Sequence, residues 1–455
     1  MKARIFIIVL SLLSLFLTQT LTSQVDNRKS LNVTVYNSNL GVVKEVREIQ
    51  LTSGISEMKI TDVAQQIVPT SVHIKLDGTV LEQNYQYDLV SFNKILEKYI
   101  DKQIELISDK NFIKGTLLSV TSSQIVLRKD DGGLLMLPKL ENYQISVGSL
   151  PEGLITRPTL VWAVKSKSSG KSEVELSYQT GGLNWHTEYV AVLNKDDSKM
   201  SLNSWVSIEN KSGATYKDAN LKLIAGDVNI VKDIIRGGRN KMMGNVMLQA
   251  DAMQPQFDEK EFFEYHIYNL QRQTTLADNE TKQISLFEAD DIKINKKYLF
   301  KSGVYYDKPK VAVVVEFENK KNNNLGMPMP KGKVRLYKAN EESLEFIGED
   351  LIEHTPKDET LKLKVGDAFD IVVEEKEEDN RKIADRVYET SYAIKLKNHK
   401  SQDITIDVER NLGSGWEVLD SNIKYEKKDA RTILFKVPVK SGEETELKFR
   451  IRYNY

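Results

Sequence analysis

The chain has 455 residues, with 64 basic and 65 acidic side chains and a net charge of −1. That length exceeds what one hydrophobic core organises, so three or four domains are expected. The charge balance argues against a nucleic-acid binder, which needs a strongly positive face, and the absence of cysteine excludes disulfides, thiolate metal sites, a cysteine nucleophile and a lipid held through cysteine.

Lys2 and Arg4 precede an apolar run at 5–17, broken only by Ser11 and Ser14, and a polar stretch follows at 18–24. This is the order of regions in a secretory signal peptide. The run falls short of the roughly 20 residues that span a bilayer. Residues 1–24 are therefore expected to be a cleaved signal peptide. The mature chain would be periplasmic or secreted, with no transmembrane segment.

Alternating apolar and polar residues at 31–36, 42–51, 55–60 and 71–76 predict strands. Asp77-Gly78 reads as a hairpin turn. Residues 25–92 are expected to form an N-terminal β-sheet region. Ser91 is placed to cap a short helix with Ile95, Leu96 and Tyr99 on one face. Four or five short strands follow, with a turn at Asp130-Asp131-Gly132-Gly133. Residues 93–150 therefore read as a small SH3/Sm-like barrel.

Pro151-Glu152-Gly153 and Arg157-Pro158 mark a linker. Strands resume over 151–232 at the spacing of a β-sandwich. The central stretch is Tyr178-Gln179-Thr180-Gly181-Gly182-Leu183-Asn184-Trp185. It reads as a hairpin, because a glycine pair takes positive φ at no steric cost. Trp185 and Tyr189 fall on one face of the outgoing strand and His186 on the other.

Residues 233–260 carry Gly237-Gly238 and four methionines, Met242, Met243, Met247 and Met253. No period of 2 or 3.6 survives there, so a flexible Met/Gly-rich loop is expected. Strands return over 261–385 as the second part of the central sandwich. Within it the run 311–317 predicts a strand buried on both faces. The prolines of Met327-Pro328-Met329-Pro330 belong in a loop or at a sheet edge. The charged run 374–381 reads as a solvated hairpin tip or linker. Residues 386–455 predict an immunoglobulin-like β-sandwich without a disulfide. The fold class expected is mainly β, with several β-sandwich domains, the small barrel and the immunoglobulin-like C-terminal domain.

Four stretches together resemble a known family. They are Gln83-Asn84-Tyr85-Gln86-Tyr87-Asp88-Leu89; Leu154-Ile155-Thr156-Arg157-Pro158-Thr159-Leu160; Gly182-Leu183-Asn184-Trp185 with Asn210-Lys211-Ser212-Gly213-Ala214-Thr215-Tyr216 and Ala225-Gly226-Asp227-Val228-Asn229; and Leu325-Gly326-Met327-Pro328 through His354-Thr355-Pro356. They resemble the DUF4139 family of exported bacterial proteins, similar to mucoidy-inhibitor-A-like proteins. The resemblance implies a link to the cell envelope and supplies no catalytic residues.

The histidines, His73, His186, His266, His354 and His399, are scattered, with no HExxH. His186 reads as a plain strand residue. His354 lies near Glu349, Asp350 and Glu353, and a turn-shaping hydrogen bond is the simpler reading. No G-x-S-x-G elbow, P-loop or dinucleotide fingerprint appears. No catalytic, cofactor-binding or metal-binding residue is assigned, and no cofactor is expected. Three functions stay open. The first is a non-enzymatic exported β-protein of the cell envelope that binds protein or glycan, or serves as a scaffold. The second is an envelope polysaccharide hydrolase whose paired carboxylates the sequence does not single out. The third is an outer-membrane β-barrel, prompted by the terminal alternation Leu447, Phe449, Ile451, Tyr453, Tyr455.

Overall fold

The computed structural model describes residues 27–108, 111–121, 124–137, 143–226, 228, 256–303, 308–340 and 343–454. The expected signal peptide lies outside them, as does the Met/Gly-rich segment up to 255. The last residues assigned to that loop are regular, since Phe257–Phe262 is a strand.

The chain is mainly β, in several separate sheets with one described α-helix, Phe92–Lys98. Alternating burial, as in Leu183–Leu193 and Thr432–Val439, shows why: such strands give one face to a core and turn the other outward, while Thr159–Ser166 is buried on both. The strands gather around three separate cores.

The largest core draws on both sides of the expected boundary at 150. An eight-stranded sheet sets Arg28–Tyr36 between Gly41–Leu51 and Tyr216–Ala225, antiparallel to the first and parallel to the second. Gly170–Thr180 adds beyond Gly41–Leu51. A three-stranded sheet places Thr159–Ser166 between Gly54–Thr61 and Thr79–Gln86. A five-stranded sheet centres on Leu183–Leu193, between Lys199–Asn210 and Gly332–Asn340. The 25–92 region is thus not a sheet of its own. Its strands are completed by partners from beyond residue 158, because each needs a second neighbour for its free backbone groups.

Two expected hairpins are corners instead. His73–Lys75 pairs with Gly170–Thr180, while Thr79–Gln86 pairs with Thr159–Ser166, so Asp77-Gly78 carries the chain from one sheet to another. Gly170–Thr180 and Leu183–Leu193 likewise belong to different sheets. Gly181-Gly182 turns the chain between them. Gly182 has φ 75°, and a Cβ there would sit 2.6 Å from the Lys211 backbone, which only glycine avoids. The two sheets face each other across Trp185. Its indole Nε1 donates to the Ile224 carbonyl at 3.1 Å, and its ring meets Tyr268 edge-on at 6.1 Å.

The small unit has the expected elements. Ser91 caps the helix, its Oγ accepting from the Lys94 amide. Five strands follow, and Gln144–Ser146 returns beside Gln103–Ile107. Among the described residues the path stays open between Gln144–Ser146 and Leu134–Leu137, an open sheet over a helix rather than a closed barrel.

The C-terminal core also reaches back past its expected start at 386. A nine-stranded path joins Val387–Asn398, Ile404–Asn411, Thr432–Val439 and Glu444–Asn454 to Asn295–Ser302, Lys310–Glu318 and Thr360–Ala384. Lys310–Glu318 is an interior strand, as its apolar run predicts. The sheet folds back on itself. Phe435 meets Phe449 at 4.9 Å, and Phe449 meets Tyr392 at 5.3 Å. The charged run 374–381 is an arm of a long hairpin paired with Val387–Asn398. No described sheet closes on itself, and Leu447, Phe449 and Ile451 point into this core. The outward apolar face of a membrane barrel is therefore absent from the last strand.

Candidate functional site

The strand Thr79–Gln86 forms an edge of the three-stranded sheet, and its alternation puts Tyr85 and Tyr87 on one side. Their rings stack at 5.5 Å with 26° between planes. Tyr85 is half-buried, and its hydroxyl faces the carbonyls of Ala64 and Gln65 at 3.2 and 3.1 Å. Burial raises its pKa above the usual phenol range. Tyr87 remains 68 % exposed. Beside the pair opens a solvent-facing groove of about 450 Å³, lined by Gln65, Pro69, Tyr85, Tyr87, Leu89 and Pro158.

Segments far apart in sequence hold this groove in shape. The Gln66 amide donates to the Ser212 carbonyl at 3.1 Å, and the Gln66 side chain donates to the Lys211 carbonyl at 2.7 Å. Gly181 donates to the Gln66 carbonyl at 3.0 Å, and Val68 to that of Gln179 at 2.9 Å. Leu89 bridges Ile155. Gly213, at φ 82°, lies so close to Gln65 that a Cβ there would reach its side chain at 2.4 Å. Three of the four stretches that carry the family resemblance thus meet around residues 64–69. The fourth packs elsewhere: the carbonyls of Pro328 and Pro330 accept from Tyr268 and Tyr189.

A buried ionic cluster lies deeper in the same unit. Arg47 forks onto Glu45, with Nε and Nη2 each at 3.0 Å, and reaches Asp62 at 3.0 Å. Arg28 adds a bond to Asp62 at 2.9 Å. Burial pushes the Glu45 carboxyl up against the pull of Arg47 and Arg28. Glu45 and Arg47 are two apart and share the inward face, so satisfying each other permits their burial. The C-terminal core has a counterpart. The Arg410 guanidinium lies 3.6 Å over the Tyr392 ring and donates to Ser302 at 2.7 Å and Glu375 at 2.6 Å. These clusters fasten strands, and none of their residues lines the tyrosine groove.

The residues singled out in the sequence fall into structural places. Trp185 is buried and His186 exposed on the opposite face, 3.1 Å from Glu188. His354 Nδ1 accepts from the Lys331 amide at 3.2 Å, a turn-shaping bond. Neither this groove nor a second, shallow one presents facing carboxylates. The second, at residues 418–425, contains only Asp420. Among the described residues no three His, Asp or Glu side chains gather as a metal site. Sequence reading missed the tyrosine groove, although Tyr85 and Tyr87 stood in a quoted motif. The only signal was their i, i+2 spacing at a strand end.

No family model matches the chain. Its sequence is similar to a cysteine–tRNA ligase of Mycoplasmopsis pulmonis, at 25 % identity over 218 residues, 45 % of this chain and 34 % of that protein. The chain thus spans about a third of that relative's length, and a likeness of this extent assigns no family.

Proposed function

We propose that the protein is an exported, non-enzymatic β-protein of the bacterial cell envelope, of the DUF4139 type, that binds an envelope component through the Tyr85–Tyr87 groove. One observation carries this reading. A large aromatic ring is left 68 % exposed while its inner face is held flat by a second tyrosine, over a loop tied down from three directions. Exposed rigid aromatics beside a groove are how proteins offer contact area at low entropic cost. Many charged residues pair with an opposite charge on strand surfaces, such as Lys297–Glu316 and Arg452–Glu389. That distribution gives no support to tRNA chemistry.

The test is capture of envelope material on immobilised chain, comparing wild type with Tyr87→Ala. Wild type should retain a component that the variant loses, with both proteins melting alike. Equal retention by the two would remove the groove from the function. Retention of nothing by wild type would remove the binding reading itself.

A further inference from the structure

The chemistry of the groove goes further, to a class of ligand, in an argument that rests on the binding reading above. The geometry points to an uncharged glycan as the occupant, with a sugar ring stacked on the free face of Tyr87 and its hydroxyls paired to the Gln65 amide. The six lining residues include no acid and no base, so a charged polymer would lose hydration there without an ion partner. A flat ring with one free face suits a ligand that has an apolar face of its own, which the C–H face of a hexose supplies.

The polar groups complete the match. No described residue bonds the Gln65 side chain or the Tyr87 hydroxyl, and both stand at the solvent-exposed groove. A side-chain amide offers donors and acceptor side by side. Adjacent sugar hydroxyls each donate and accept, so the two sets are complementary. The Tyr85 hydroxyl is already engaged with the Ala64 and Gln65 carbonyls. The donors left for a ligand are therefore the Tyr87 hydroxyl and the Gln65 amide, which a proline-rich peptide would have to share, so that peptide is the competing occupant in the experiment.

The experiment uses the full mature chain on an array of neutral oligosaccharides that includes maltohexaose and chitohexaose, followed by titration of the best of them. A proline-rich decapeptide is titrated in parallel. Saturable binding of a neutral oligosaccharide is expected. Tyr87→Ala should weaken it about tenfold, the effect of losing roughly 1.4 kcal/mol of contact. Tyr87→Phe should keep it, since the ring remains, and Gln65→Ala should weaken it without a change in melting. Binding of no array member would overturn the glycan assignment, as would binding indifferent to Tyr87. If the peptide binds instead in a Tyr87-dependent way, the glycan is wrong while the groove stands as a binding site.

Discussion

Replacing Trp185 with alanine tests how the two large sheets are held together. The side chain is 1 % exposed, meets Tyr268 edge-on and donates to the buried Ile224 carbonyl. Removing a core tryptophan ring costs about 3–5 kcal/mol. Leaving the Ile224 carbonyl without its partner adds about 1–3 kcal/mol. Against a typical total of about 5–15 kcal/mol, Trp185→Ala should unfold the large unit or bring it close to unfolding. Trp185→Phe keeps a ring and loses the indole donor, so about 1–3 kcal/mol is expected. His186→Ala, on the solvated face, should stay within about 0.5 kcal/mol of wild type. Scanning calorimetry of the three variants should rank them in that order, at roughly 2–4 °C of Tm per kcal/mol. A Trp185→Ala protein that melts within about 2 °C of wild type would refute the packing argument.

Two other perturbations follow from the ion pairs. Asp197, at the turn between Leu183–Leu193 and Lys199–Asn210, is paired with Lys296 at 2.7 Å and with Lys338. Burial alone would raise its pKa, but the two lysines outweigh burial and lower it. A depressed carboxyl pKa contributes stability above its unfolded value, near 3.8, that is lost as pH falls through the folded value. Urea melts from pH 6 down to pH 2 should show wild type losing about 1 kcal/mol more than Asp197→Asn below about pH 4. In the C-terminal core, Arg410→Ala leaves the Glu375 carboxylate without its buried partner and should cost about 3–5 kcal/mol. Hydrogen exchange across 387–454 would read this, and unchanged protection there would contradict it.

The strands were legible because their alternation is a local property. The helix start was legible in Ser91, and the interior strand Lys310–Glu318 in its continuous apolar run. What the sequence hid is pairing between distant segments. Nothing local tells that Arg28–Tyr36 lies parallel to Tyr216–Ala225, or that Gly181-Gly182 leads into a second sheet rather than back along the first. A glycine pair supplies the same conformational freedom to a hairpin and to a corner. Which one forms depends on the close approach of Lys211, about 30 residues away in sequence. Gly41–Leu51 is a strand as its alternation predicts, but hydrophobicity does not reveal which face turns inward. Its inward face is Val43, Glu45 and Arg47, while Val42 and Val46 face outward half-exposed. The charged pair is tolerated inside because Asp62 and Arg28 complete it, and hydrophobic patterning does not register such compensation. The tyrosine groove was hidden for the same reason as the corners. Its walls come from three regions of the chain, around 65–69, 85–89 and Pro158, and only their meeting makes it a site.

The central claim is that envelope material is recognised at this groove, and hydrogen exchange with and without bound material tests it most directly. The account predicts slowed exchange confined to the amides of 64–69 and 85–89, with the C-terminal core unchanged. Protection centred instead on 387–454, with 64–69 and 85–89 unaffected, would contradict it.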